Sequence, residues 1–317
     1  MIETPPLFVV GHGTRSTAGV AEFGMLVERV AKLLAPRRVP VRGAFIELSV
    51  PPVRDVVDEL VGEGHRHLVA VPLVLVAAGH GKGDIPGAMQ REQLRHPGLT
   101  YSYGRPLGPH PLLQAVLERR IDQTLGASVP RSEVGVVLVG RGSRDPDGNA
   151  EVAKVARLLW EGRGYAYVET SFVSLAWPSV PEALERARRL GAGTLVVAPY
   201  FLFPGVLPDR ILEQATAYAV EHPDLDVRVA GLLGDSDEVR SLVVERYDEA
   251  LHGDIRMNCD TCLYRIALPG HEHRVGTPQA PHDHPDDPAH EHWHGQGHSH
   301  VQGHSHGQGH PQGHGHA

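Results

Sequence analysis

Short apolar runs closed by Gly or Pro alternate along this chain with longer stretches in which apolar residues recur every third and fourth position. The runs at 7–10, 41–46, 67–75 and 100–103 predict strands, since continuous β-branched and apolar stretches suit a strand buried on both faces. Between and after them, 18–34, 52–63, 85–95 and 111–125 carry the helical period; Val53, Val56, Val57, Leu60 and Val61 make one stripe. Strict alternation of strand and helix predicts an α/β fold, a mostly parallel sheet flanked by helices.

The same order then runs a second time, with strands expected at 135–139, 167–173, 194–201 and 227–231. Phe45 aligns with Phe172, Leu48 with Leu175, Pro51 with Pro178, Pro72 with Pro199, and His96-Pro97 with His222-Pro223. Five anchors in register mean a tandem repeat. At 317 residues and 41% hydrophobic content the chain is long enough for two domains, each with its own core. The expected division is 1–127, then 133–253, then a segment 254–270 and a tail 271–317. The tail is Gly, His, Pro, Gln and Asp, which bury too little apolar surface to offset the entropy of ordering, so it is expected to be disordered.

Candidate chemistry sits where the two repeats differ. In parallel α/β sheets ligands gather at the carboxyl ends of the strands. His12 closes the first strand, Glu47 follows the second and His80 follows the third; the matching positions in the second repeat are Arg141, Ser174 and Leu207. Two imidazoles and a carboxylate suit a divalent transition metal such as Co, Fe, Ni or Zn with open coordination positions, whereas the second set cannot hold one. Taken singly, either histidine reads equally as a loop residue bonded to backbone. Gly11-x-Gly13 also has the look of a phosphate loop, but no third glycine follows at the required spacing and there is no Gly-Lys-Ser/Thr.

Composition narrows the classes. The formal charge is -8, and no basic stripe interleaves with aromatics, which argues against a nucleic-acid partner. No apolar run reaches the length of a membrane span and no leader pattern opens the chain, so it reads as soluble and cytoplasmic, without a membrane partner. The two cysteines, Cys259 and Cys262, are spaced for a metal, cluster or redox role rather than a disulfide framework. Two thiolates fill neither a cluster nor a structural zinc site, so either further ligands come from elsewhere, a second chain included, or the pair is unmetallated and reducible. Fourteen of the 22 histidines lie in the tail, many as His-x-His: His298 and His300, His304 and His306, His314 and His316. Neutral imidazoles in that density suit Ni, Co, Zn or Cu, as a reservoir or delivery arm; the alternative is a dispensable extension.

Gly11-His12-Gly13-Thr14-Arg15, Phe45-Ile46-Glu47 and Ala78-Gly79-His80-Gly81-Lys82-Gly83-Asp84-Ile85-Pro86 resemble, in order and spacing, the signatures of the class II tetrapyrrole chelatases, specifically the long-form CbiX-type sirohydrochlorin cobaltochelatases and the similar ferrochelatases of siroheme synthesis. The resemblance implies two chelatase-like repeats building one cleft within the chain. It implies that His12 and His80 are the metal-binding and catalytic histidines with Glu47 as acidic partner. Met257-Asn258-Cys259-Asp260-Thr261-Cys262 resembles the segment some long-form members use for an iron–sulfur cluster; a shared cluster would make a dimer, and otherwise a monomer is expected. The implied activity is insertion of Co(II), or alternatively Fe(II) or Ni(II), into sirohydrochlorin, the cobalt reaction belonging to cobalamin synthesis. For that acidic macrocycle Arg15, Lys82, Arg141 and Arg144 are candidate carboxylate partners, each with a solvated surface charge as its alternative. A non-catalytic metal store or metallochaperone is the reading from another class.

Overall fold

The structure, a computed structural model, describes residues 4–78, 80–127 and 129–253, with the backbone alone at His80. Eight strands form two sheets of four, every pairing parallel. The first holds β1 (Leu7–Gly11), β2 (Val41–Phe45), β3 (His67–Pro72) and β4 (Thr100–Tyr103) in the order β2-β1-β3-β4. The second holds β5 (Val134–Gly140), β6 (Tyr167–Phe172), β7 (Thr194–Pro199) and β8 (Asp226–Val229) in the order β6-β5-β7-β8. Registers repeat as well: Leu7 lies beside Val41 and Val69, and Gly135 beside Tyr167 and Leu195. The third strand of each repeat stops at a proline, earlier than its apolar run suggests. A proline has no N–H for the next ladder bond, and the chain beyond it turns off the sheet.

Among the described residues eight α-helices flank the strands, seven of them connecting one strand to the next: α1 (Thr17–Leu34), α2 (Val53–Gly62), α3 (Ile85–Arg95), α4 (Pro111–Leu125), α5 (Pro146–Trp160), α6 (Val180–Arg189), α7 (Val206–Glu221) and, after β8, α8 (Asp237–His252). Their starts follow local chemistry. Ser16 caps α1 by accepting from the Gly19 N–H, Asp145 caps α5, and Ser179 with Glu182 forms a capping box on α6. None of the described helices is long and apolar enough to cross a membrane.

Alternate strand residues feed different layers. Phe8 and Val10 face outward onto α2 and α3, burying Val57, Leu60, Ile85 and Met89 completely; Val137 and Val139 do the same beneath α6 and α7. Leu7, Val9, Val69 and Val71 face inward and join Val136, Leu138, Val196 and Ala198 in a single central cluster. The expectation of a separate core for each repeat therefore fails in this layer. Its cause is an exchange of terminal helices. α8 of the second repeat packs on β3 and β4 of the first sheet beside α1, and α4 of the first repeat packs on β7 beside α5. Fully buried Leu113, Val116 and Ile121 on α4, and Val239, Leu242 and Tyr247 on α8, fix that arrangement, each such side chain contributing about 1.5–3 kcal/mol.

Polar contacts follow the same exchange. Buried Arg246 of α8 donates to the carbonyls of Pro106 (3.0 Å) and Leu107 (3.0 Å), at the foot of α4. Glu249 accepts from Arg246 and, bidentately, from Arg105 at 2.9 and 2.7 Å. Burial pushes the Arg246 guanidinium below the ordinary arginine range, which the two neighbouring carboxylates oppose.

Candidate active site

The carboxyl ends of β1 and β2 are stitched together by backbone. Ile46 donates to the Gly11 carbonyl at 3.0 Å and Glu47 to the His12 carbonyl at 3.1 Å. Ser49 accepts from the Thr14 N–H at 2.9 Å and returns its hydroxyl to the Thr14 carbonyl at 2.6 Å. Gly13 makes this closeness feasible. Its φ is +107°, and a Cβ there would stand 1.8 Å from the Glu47 carbonyl oxygen. The second repeat keeps the same device, with Gly142 at φ +85° where a Cβ would stand 1.7 Å from the Ser174 carbonyl oxygen, and Leu48 and Leu175 share a φ of 62°.

The consequence is a fixed pair. His12 Nε2 lies 3.1 Å from Glu47 Oε1, and the imidazole Nδ1 lies 3.2 Å from the Gly13 carbonyl. The histidine is one-quarter exposed and lines the cleft above the strand ends, and the carboxylate beside it is about half exposed. His80 opens a helical turn over 80–84 of the π form, which leads directly into α3. The structure thus places the third expected residue on the element after β3, while its side chain is outside the described atoms.

A cleft of about 700 Å³ lies above these strand ends, with walls from both repeats. Phe23, Phe45 and Leu75 line it on one side and Leu175, Phe201 and Phe203 on the other. At its rim Leu48 and Leu175 remain more than half exposed, a combination suited to a flat apolar face. Arg15, Arg141 and Arg144 all line the cleft, are exposed, and have no carboxylate partner among the described residues. Lys82, the fourth candidate, is paired within the protein. Its Nζ lies 2.9 Å from Asp145 and 2.6 Å from Asp147, at the start of α5 in the other repeat. Both carboxylates hold its ammonium above the ordinary lysine range.

The wall segment 200–208, which the repeat alignment pairs with the stretch leading to His80, was read for its strand end and for Leu207 and not as cleft wall. Tyr200 within it is buried, its hydroxyl without a hydrogen-bond partner among the described residues, and burial raises its pKa. Away from the cleft, Asp58, Glu92 and His96 bring three ligand atoms within 4.8 Å of one another, but the Arg95 guanidinium bonds both carboxylates there. Cys259, Cys262 and the tail histidines His298, His300, His304, His306, His314 and His316 lie outside the described residues.

Comparison with known proteins matches both repeats to one family. The CbiX family pattern covers residues 6–124 and 135–250. A sirohydrochlorin cobaltochelatase of Priestia megaterium is 36% identical over 83% of this chain and 85% of its own. A sirohydrochlorin ferrochelatase of Bacillus subtilis is 30% identical over 77% of this chain and 90% of its own. Among solved structures, SirB from Bacillus subtilis with Fe3+ superposes with a TM-score of 0.70 at 28% identity, over 79% of this chain and 97% of that one. The sirohydrochlorin chelatase SirB of the subspecies spizizenii in complex with cobalt gives 0.65 at 26% identity, over 79% and 96%. With both repeats matched in order and both sheets superposed, this chain belongs to the CbiX family.

Proposed function

We propose that this protein is a sirohydrochlorin chelatase that inserts a divalent metal, cobalt(II) foremost, into its macrocycle substrate. The observation that carries the reading is the His12–Glu47 pair, held at 3.1 Å beneath a two-walled apolar cleft. Two ligand atoms each about 2.1 Å from one cation and at right angles to each other stand ~3 Å apart, so the pair matches adjacent positions of one coordination sphere. On this reading His80, which opens the turn after the third strand, supplies the third ligand of a His–Glu–His set, with positions left for the macrocycle nitrogens.

Insertion replaces two pyrrole N–H protons by one M(II) and releases two protons. Neutral imidazole holds a partly dehydrated cation without burying a second charge, and Glu47 or a histidine accepts the protons near neutral pH. The apolar walls take the two faces of the ring. Arg15, Arg141 and Arg144 meet its carboxylates, for which guanidinium offers paired donors. Cobalt(II) is favoured by the cobaltochelatase among the relatives and by the tail, whose imidazoles suit loading of such a cation. Iron(II) is the second reading, favoured by the ferrochelatase and by the Fe3+ complex of SirB. Cys259 and Cys262 supply two of the four thiolates a cluster takes, and no step is assigned to them.

The test is anaerobic metal insertion into sirohydrochlorin followed by absorbance, with Co(II), Fe(II) and Ni(II) compared in the wild type, His12→Ala and His80→Ala. The wild type should accelerate insertion and both variants should lose at least ~100-fold. Tight metal binding with no acceleration for any metal would make the protein a metal store instead.

A further inference from the structure

We infer that Lys82 and Tyr103 are positioning residues that hold the turn 80–84 in its π form and thereby set where His80 stands; this rests on the chelatase reading of the cleft. The two repeats differ at this place. In the second, α7 runs as regular α-helix from Val206, and Leu207 takes the position of His80. In the first, the corresponding turn is π-helical, and regular helix starts only at Ile85. A π turn is rare, recurs at functional sites, and reverts to the tighter helix unless its surroundings hold it. Reversion would rotate the backbone at residue 80 relative to the strand ends that carry His12 and Glu47.

Two contacts do the holding, from opposite directions. The Tyr103 hydroxyl, on the last residue of β4, donates to the Gly81 carbonyl at 2.8 Å. Lys82 reaches across to Asp145 and Asp147. Asp145 is itself fixed, since its other oxygen accepts from the Asp147 N–H at 3.1 Å as the cap of α5. Among the described residues neither contact has a counterpart in the second repeat. The residue in the register of Tyr103 is Val229, and the one in the register of Lys82 is Asp209, so hydroxyl and cation occur only where the histidine does. The second repeat, bare of metal ligands, thus fixes the His80 segment through two carboxylates that neighbour Arg144 at the cleft rim.

The experiment compares Lys82→Met, Lys82→Arg and Tyr103→Phe in the full chain by steady-state insertion kinetics and by hydrogen–deuterium exchange across residues 80–85. Lys82→Met and Tyr103→Phe should lower kcat by roughly tenfold with KM for sirohydrochlorin within about twofold, as loss of orientation does. Exchange in that segment should quicken in both, and Lys82→Arg should recover most of the rate. A raised KM with unchanged kcat in Lys82→Met would make Lys82 a substrate-carboxylate ligand and overturn the inference. Unchanged exchange in both variants would overturn it too. A wild type with no insertion activity would sink the chelatase reading alone, and the exchange comparison would still decide the role of the two residues.

Discussion

Gly13→Ala tests the site with one methyl group. At φ +107° any L side chain is strained by about 1–2 kcal/mol, and its Cβ would lie 1.8 Å from the Glu47 carbonyl oxygen, against the 3.4 Å at which ordinary contact begins. The obstacle is backbone rather than the tip of a flexible side chain, so relief requires the 11–15 loop to part from the 46–49 loop, at a further ~1–3 kcal/mol. Parting breaks the Glu47 N–H to His12 carbonyl bond and both Thr14–Ser49 bonds. The expected loss is therefore ~2–5 kcal/mol of stability, read from urea midpoints. The insertion rate should fall about 100-fold as His12 and Glu47 separate. Gly142→Ala is the control, because it meets the Ser174 carbonyl at 1.7 Å in the repeat that lacks the ligands. It should cost comparable stability and raise KM, since Arg141 and Arg144 flank it, with far less loss of kcat. A Gly13→Ala protein with wild-type midpoint and wild-type rate would refute the claim that this close approach organises the site.

Two further outcomes follow from the interface of the exchanged helices. Glu249→Ala removes the paired carboxylate of Arg105 and one of the two carboxylates of buried Arg246, which keeps Glu245 at 3.1 Å, a loss of about 3 kcal/mol, the low end for a broken buried pair, that should lower the thermal midpoint by roughly 10 °C; a shift under ~2 °C would contradict it. Arg119 on α4 holds the Glu238 carboxyl on α8 down to about 2. A carboxylate whose folded pKa lies below its unfolded one stabilises above the unfolded value and loses that contribution as pH falls through the folded one. Acid should accordingly weaken the protein between about 4.5 and 2, and Glu238→Gln should flatten that slope in urea midpoints measured across the range. Arg119 is 40% exposed, which limits the effect to ~1 kcal/mol at most.

Much of the architecture was legible because the apolar period is nearly unbroken. The stretches 85–95, 100–103 and 111–125 match α3, β4 and α4 to the residue. The repeat itself, read from Phe45 and Phe172 or Pro72 and Pro199, recurs as paired sheet positions. His12 and Glu47 could be brought together because each ends a strand, and neighbouring parallel strands put their ends side by side. The exchange of α4 and α8 was not legible, since an amphipathic stripe records that a helix covers something apolar and not which sheet. Lys82 shows the same limit for charge. Nothing in a Gly-Lys-Gly sequence reveals a pair of carboxylates 63 and 65 residues away. The Arg-x-x-Glu spacing of Arg246 and Glu249 is equally that of a solvated helix face, and only the packing of α8 shows that they are inside.

The helix exchange bears on what the second copy is able to give up. Its counterparts of His12, Glu47 and His80 are Arg141, Ser174 and Leu207, of which only Leu207 packs against the core, and they are free to change as soon as one metal site suffices. Its last helix is in a different position. Val239, Leu242, Val243 and Tyr247 form part of the wall against which β3 of the first sheet is packed. Losing that helix would strip the cover from the very strand whose end leads to His80. The duplicated half could thus shed its chemistry residue by residue while remaining indispensable as a whole, so the two copies should melt in one transition and answer to heat as a single cooperative unit.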